Sequence, residues 1–411
     1  MKLKKAMLII LIIIFTITVA CRIKDDGLPE RPIEEEVEVP EEEIIVDNIL
    51  ERIQAMTLRE KIGQLIIVGF DGTRINEEAL DYIENLKVGG FILFARNIED
   101  EEGTLNLLND LKEANSNNDL PLFLSIDEEG GRVSRLPESF VKIPEMIKVG
   151  NKNNEELSYE IGSILAERVK SLGFNMNFAP VLDINSNPGN PVIGNRAFGG
   201  TVESVTKNGL GVMNGIMDLD VIPAVKHFPG HGDTNVDSHI NLPVIRKTID
   251  ELRDFELIPF IKAIEEDVEM IMVAHILYPE LDEDYPSTMS SKIIEGLLRR
   301  ELGYGGVIVS DDMTMGAIVE NYSLEEGVLS FIKSGGDIAL VCHGRENPRK
   351  VIDKIEMAVN NEDLSEDKID EKLYRILKLK EKYDLKDHVI DEINIKRIND
   401  KTKKIIEKIN K

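Results

Sequence analysis

Eight short apolar runs recur between residues 65 and 344, each followed by a longer amphipathic stretch, and no other feature restricts the possible folds so tightly. They read "LIIVGFDG" (65–72), "GGFILFAR" (89–96), "PLFLSIDEEGG" (121–131), "FNMNFAPVLDI" (174–184), "VIPAVKHFPG" (221–230), "MIMVAHILYP" (270–279), "GGVIVSDDM" (305–313) and "GDIALVCHG" (336–344). A strand with one wet face alternates apolar and polar residues. Near-continuous apolarity suits strands covered on both faces, which predicts a parallel sheet. The intervening stretches, among them "NEEALDYIENLK", "EELSYEIGSILAERVKSL", "TIDELRDFELIPFIKAI" and "SSKIIEGLLRREL", repeat apolar residues at three- and four-residue spacing and predict helices. Eight β–α alternations predict an α/β fold, a closed (β/α)8 TIM barrel forming a single catalytic domain; a doubly wound open sheet is the alternative. The run ends favour the barrel. Asp71, Arg96, Asp127, Asp183, His227, His275, Asp311 and His343 all fall there, where barrel enzymes collect their chemistry.

The flanks of this region have a different character. "MKLKKAMLIILIIIFTITVAC" places Lys2, Lys4 and Lys5 before an apolar core and small residues before Cys21, the order of a secretory signal. It resembles a bacterial lipoprotein signal (1–20), with Cys21 the lipidated first residue of the mature chain. That predicts an extracytoplasmic protein attached to the membrane by a lipid anchor; an uncleaved span is the competing reading. Residues 21–48, rich in Glu and Pro, predict a self-repelling tether. The barrel is expected over 49–385, and a lysine-rich helical extension over 386–411. If Cys21 carries lipid, only Cys342 remains, and no intramolecular disulfide can form. The net charge of -27 opposes nucleic acid as a partner, because phosphates would be repelled.

One stretch concentrates reactive side chains. "KHFPGHGDTNVDSH" (226–239) holds three of the six histidines of the chain, starting at the end of the fifth run and continuing into the long connection after it. His227, His231, Asp233, Asp237 and His239 could supply metal ligands, but Pro229, Gly230 and Gly232 break any helix that might align them, and no metal or other cofactor is expected. His231, between glycines, is expected to fix the loop by hydrogen bonds. Asp237 and His239 stand one residue apart, so the carboxylate can orient the imidazole and raise its pKa, making a pair that donates a proton in one step and accepts one in the next. The glycines suggest that this loop can swing. A carboxylate across the barrel mouth would complete the site, and "VIVSDDM" offers Asp311 or Asp312. Strand alternation allows only one of the two to point into the barrel.

The motifs "GGFILFARNI", "IDEEGGRVSRL", "NFAPVLDIN", "GNRAFG", "KHFPGHGDTNVDSH", "MVAHILYP" and "VIVSDDM", in this order, resemble those of glycoside hydrolase family 3, in its β-N-acetylglucosaminidase branch. Asn195 and Ala197 flank Arg196 where that family often carries Asp and Ser. The resemblance implies a retaining exo-β-N-acetylglucosaminidase acting on peptidoglycan fragments or related glycosides. It implies Asp311 as nucleophile, His239 as acid/base with Asp237 as its partner, and Asp127, Arg135, Arg196, Lys226 and His227 as sugar-binding residues. The alternatives are a family 3 β-glucosidase, an N-acetylglucosaminide phosphorylase, a metal-dependent barrel hydrolase and a solute-binding lipoprotein.

Overall fold

The computed structural model describes residues 47–235, 237–238 and 241–411. The expected signal, Cys21, most of the tether and His239 lie outside the described residues.

Each apolar run contains one strand: β1 (Ile66–Val68), β2 (Gly90–Leu93), β3 (Phe123–Ile126), β4 (Met176–Asn177), β5 (Ile222–Phe228), β6 (Met270–Val273), β7 (Val307–Asp312) and β8 (Ile338–Val341). All neighbours pair in parallel, and β1 pairs with β8 through Ile66–Ala339, Ile67–Leu340 and Val68–Val341, which closes the barrel. The closed (β/α)8 barrel is therefore the fold, and the open-sheet alternative is removed. Helices cover the outer face, so strand side chains on both faces are buried, Phe91, Phe123 and Ile308 among them. Full burial of an apolar side chain of this size contributes roughly 1.5–3 kcal/mol.

Local chemistry sets the element boundaries. The helix Glu155–Leu172 starts at Asn154, whose side chain accepts the Leu157 amide, and stops at Gly173 with φ of 107°. "TIDELRDFELIPFIKAI" forms two helices rather than one, Ile249–Asp254 and Ile258–Glu265. Pro259 has no amide hydrogen and is tolerated only in the first turn of the second. The fourth run yields a strand of two residues. Pro180 cannot donate to the ladder, and pairing with β5 resumes only beyond it, where Leu182 donates to Lys226 O at 2.6 Å. The final helix, Ile395–Asn410, lies along Glu155–Leu172. Lys401 pairs there with Glu167 and Lys408 with Glu160, while Ile398 and Ile409 are buried.

Candidate active site

A cavity of about 320 Å³ opens at the C-terminal ends of the strands. Its lining brings together six of the residues expected to act on a substrate: Asp127 after β3, Arg135 in the next loop, Arg196 beyond β4, Lys226 and His227 on β5, and Asp311 on β7. Asp237 is described but does not border the cavity, and His239 lies outside the described residues.

The polar floor is one connected network. Lys226 Nζ lies 2.6 Å from both Asp127 Oδ1 and Glu129 Oε1. Glu129 accepts two hydrogen bonds from Arg196, Nε to Oε2 at 2.8 Å and Nη2 to Oε1 at 2.7 Å. Arg196 Nη2 also lies 3.4 Å from His227 Nε2, and His227 Nδ1 lies 2.6 Å from Asp183 Oδ2. Burial alone would neutralise Glu129, but Arg196 and Lys226 outweigh it and hold the carboxyl well below its ordinary range. Burial likewise opposes the charge on Lys226 and on Arg196, and the carboxylates overcome it, raising both. Such a network is held in place by its mutual bonds: removing one member of a buried pair costs roughly 3–5 kcal/mol.

Sequence reasoning missed Glu129 and gave no role to Asp183, although each is central here. The two-residue spacing from Asp127 offered a signal for Glu129, although both lie just beyond the end of β3. Glu128 faces the other way. Its Oε2 accepts Ser134 Oγ at 2.7 Å and the Arg135 amide at 3.1 Å, and its Oε1 lies 3.3 Å from Arg168. One short acidic motif thus serves two walls, positioning the loop of Arg135 and clamping Arg196 with Lys226.

The described residues of the histidine-rich loop are anchored. The His231 amide donates to Asp183 Oδ1 at 2.6 Å, and Tyr278 Oη donates to Gly230 O at 2.6 Å. A Cβ on Gly232 would stand 1.7 Å from Ile184 O. Gly232 is therefore a packing position, and Gly230, with φ of 138°, takes a backbone conformation that favours glycine, its Cβ site 2.9 Å from Glu256 Cβ. The His231 ring faces Thr234 Oγ1 at 3.0 Å and Ser238 Oγ at 3.2 Å, as its structural reading requires. Burial pushes it down to about 4. Of the metal-ligand alternative, Asp233 is turned to Lys247 at 3.0 Å. Among the described residues no group of three His, Cys, Asp or Glu side chains is placed to hold an ion.

At the end of β7 both aspartates border the cavity, against the expectation from alternation. The β7–β8 ladder slips between Val309 and Asp312, and strict alternation lapses there. Their surroundings separate them. Asp312 Oδ1 accepts the Thr314 amide at 2.9 Å, Thr314 Oγ1 at 2.7 Å and the Cys342 amide at 3.2 Å. Asp311 Oδ1 accepts the Asp312 amide at 2.8 Å. Burial pushes the Asp311 carboxyl up, but His275, His227, that amide and Lys226 together hold it at about 2. The arrangement offers a permanently ionised carboxylate facing a set of fixed hydrogen-bonding groups suited to a polyhydroxylated ring.

Residues 57–379 match the glycosyl hydrolase family 3 N terminal domain. A β-hexosaminidase A of Pseudoalteromonas piscicida is 36% identical over 335 residues, which are 75% of this chain and 56% of that protein, so the chain spans little more than half of its length. A β-hexosaminidase of Thiobacillus denitrificans is 34% identical over 292 residues, 70% of this chain and 80% of that protein. Among solved structures, a glycoside hydrolase family 3 β-N-acetylglucosaminidase from Paenibacillus sp. str. FPU-7 superposes with a TM-score of 0.82 at 40% identity, covering 86% of this chain and 69% of that one. With these motifs on the strands of one closed barrel, this chain belongs to glycoside hydrolase family 3.

Proposed function

We propose that this chain is a retaining, exo-acting β-N-acetylglucosaminidase that removes terminal N-acetylglucosamine from peptidoglycan fragments or related glycosides. The observation that carries the reading is the placement of Asp311, ionised and partly exposed, in the same cavity as Asp127, Arg135, Arg196, Lys226 and His227.

Asp311 attacks the anomeric carbon while His239, oriented by Asp237, gives a proton to the departing oxygen. Water, deprotonated by His239, then attacks the anomeric carbon and releases Asp311, and two inversions leave the configuration unchanged. An ionised nucleophile suits this scheme because Asp311 needs no proton removed before it attacks. Glu129 holds both Lys226 and Arg196, and Lys226 holds Asp127, so these groups meet sugar hydroxyls without reorganising. The roles of His239 and Asp237 rest on the sequence motif.

The signal at residues 1–20, with Cys21, supports a lipid-anchored enzyme outside the cytoplasm. Metabolic labelling with a radioactive fatty acid tests the anchor: label lost on Cys21→Ser supports it, and label retained opposes it. The activity is tested by comparing nitrophenyl N-acetyl-β-glucosaminide with nitrophenyl β-glucoside and following the anomer first released by NMR. Preference for the N-acetylated substrate with release of the β-anomer is expected. Preference for the glucoside, or release of the α-anomer, would contradict the proposal.

A further inference from the structure

The proposed sugar-binding residues all come from the β3–β5 side of the cavity, and the wall from β8 and β2 has no role in that scheme. This wall carries a stack of three side chains. The Arg96 guanidinium lies 4.7 Å from the centre of the Phe94 ring. Phe94 and His343 have ring centres 5.6 Å apart and planes inclined by 31°.

The stack is fixed from below. Arg96 donates to Phe70 O at 3.2 Å and to Cys342 O at 2.7 Å, and it pairs with Asp71 at 2.8 Å. The turn holding Phe94 is closed by its own amide on Asn97 Oδ1 at 3.0 Å. The outermost member, His343, has its Nε2 3.7 Å from Asp312 Oδ2, beside Asp311, and its side chain is 56% exposed. It is a ring held on one edge and against one neighbour, with open surface at the cavity mouth.

We infer that His343, backed by Phe94 and Arg96, is the platform on which the sugar ring of the leaving group stacks. The inference rests on the proposed glycosidase reading and adds the residue that recognises the second saccharide. Two observations carry it. A cavity of 320 Å³ is at the small end for ligand pockets and suits one saccharide ring, so a second ring must lie at the mouth. Pyranose rings present a face of C–H bonds that packs on an aromatic surface, and the chain has no tryptophan to supply one. Among the described lining residues with rings, Phe178, His227 and His231 are buried, which leaves Phe94 and His343. His343 thereby sets the preference for a saccharide leaving group over a small one.

The test measures kcat/KM on two substrates, N-acetylglucosamine β-linked to a second pyranose and its methyl β-glycoside, for the full chain and for the variants His343→Ala and His343→Tyr. His343→Ala is expected to lower kcat/KM on the disaccharide about 3- to 10-fold more than on the methyl glycoside, the size of one lost stacking contact. His343→Tyr, which keeps an aromatic face, is expected to restore most of that ratio. Equal losses on both substrates, or a ratio that does not move, would overturn the platform while leaving the glycosidase reading intact. A wild-type chain that turned over neither substrate would instead overturn the proposed function, and the platform with it.

Discussion

At the C-terminal ends of the strands, the buried Lys226 lies between the carboxylates of Asp127 and Glu129. At the N-terminal ends, the equally buried Lys380 donates to Gln64 Oε1 at 2.8 Å and to Pro121 O at 2.7 Å, with Gly89 O at 3.4 Å. Close by, Asp337 binds Arg299, accepts Arg375 at 2.8 and 2.9 Å, and takes the Ile308 amide at 2.7 Å. Both ends hold buried charge, yet they differ in two respects. Lys226 has two carboxylates and is raised, whereas burial pushes Lys380 down to about 7, with Asp387 offsetting only part of it. Lys226 borders an open cavity, while the donors of Lys380 end on fixed protein acceptors under the helix Glu366–Lys382. Buried charge by itself therefore does not mark the active end of this barrel. A cavity lined by groups whose charge is sustained does.

The strongest way to break this contrast is at Asp311. Asp311→Asn is expected to lower kcat by about 10⁴-fold or more with the fold retained, read by steady-state kinetics beside a circular dichroism melt. A loss below tenfold would show that the β7 carboxylate is not the reacting group.

The paired lysines sharpen it next. Lys226→Met should cost roughly 10- to 100-fold in kcat/KM, the scale of a lost charge-assisted hydrogen bond to substrate. Lys380→Met orphans buried acceptors, so it should lower stability by roughly 2 kcal/mol in urea unfolding while leaving kcat/KM of the folded enzyme unmoved. If Lys380→Met damaged kcat/KM as much as Lys226→Met, the division between the two ends would fail.

Smaller effects appear in pH profiles. Asp311, held at about 2, stays ionised throughout the working range and sets no limb near neutrality. Under the proposed scheme the proton donor is His239, and its titration would then set the fall of kcat/KM toward alkaline pH. Asp237→Asn removes a negative neighbour, so the alkaline limb should move to lower pH by about one unit. A limb that stayed in place would separate Asp237 from the acid.

His231 has no expected effect on turnover, and its signal lies in stability alone. Its ordinary value of 6.5 falls to about 4 in the folded chain, so between these values the unfolded chain binds more protons. Stability therefore declines as pH drops from 6.5 toward 4, by up to roughly 3 kcal/mol from this group. Unfolding midpoints of wild type and His231→Gln at pH 7 and pH 5 should show a shallower decline in the variant. Parallel declines would remove His231 as a contributor.

The barrel was legible in the sequence because doubly covered strands need continuous apolarity, and eight such runs admit few closures. The gathering of Asp127, His227 and Asp311 was legible too, since strand ends in a barrel meet at one mouth, whereas Arg135, Arg196 and Lys226 were expected there only from the family resemblance. The partners of these residues were not. Glu129 meets Arg196 and Lys226 from distant parts of the chain, and nothing in "IDEEGG" names them. The approach of Asp312 to the cavity depends on a ladder slip that periodicity does not register. Gly230 and Gly232 suggested freedom, but at Gly232 the absence of a side chain also permits close packing on the Ile184 backbone, which the sequence does not reveal.

Incubation with a fluorinated N-acetylglucosaminyl inactivator, followed by peptide mapping, addresses the chemistry of the cavity most directly. The expected result is a single glycosyl adduct on the peptide "VIVSDDM", carried by Asp311 and absent in Asp311→Asn. An adduct on Asp312 or on another strand, or turnover with inversion and no adduct, would contradict the assignment of Asp311 as nucleophile.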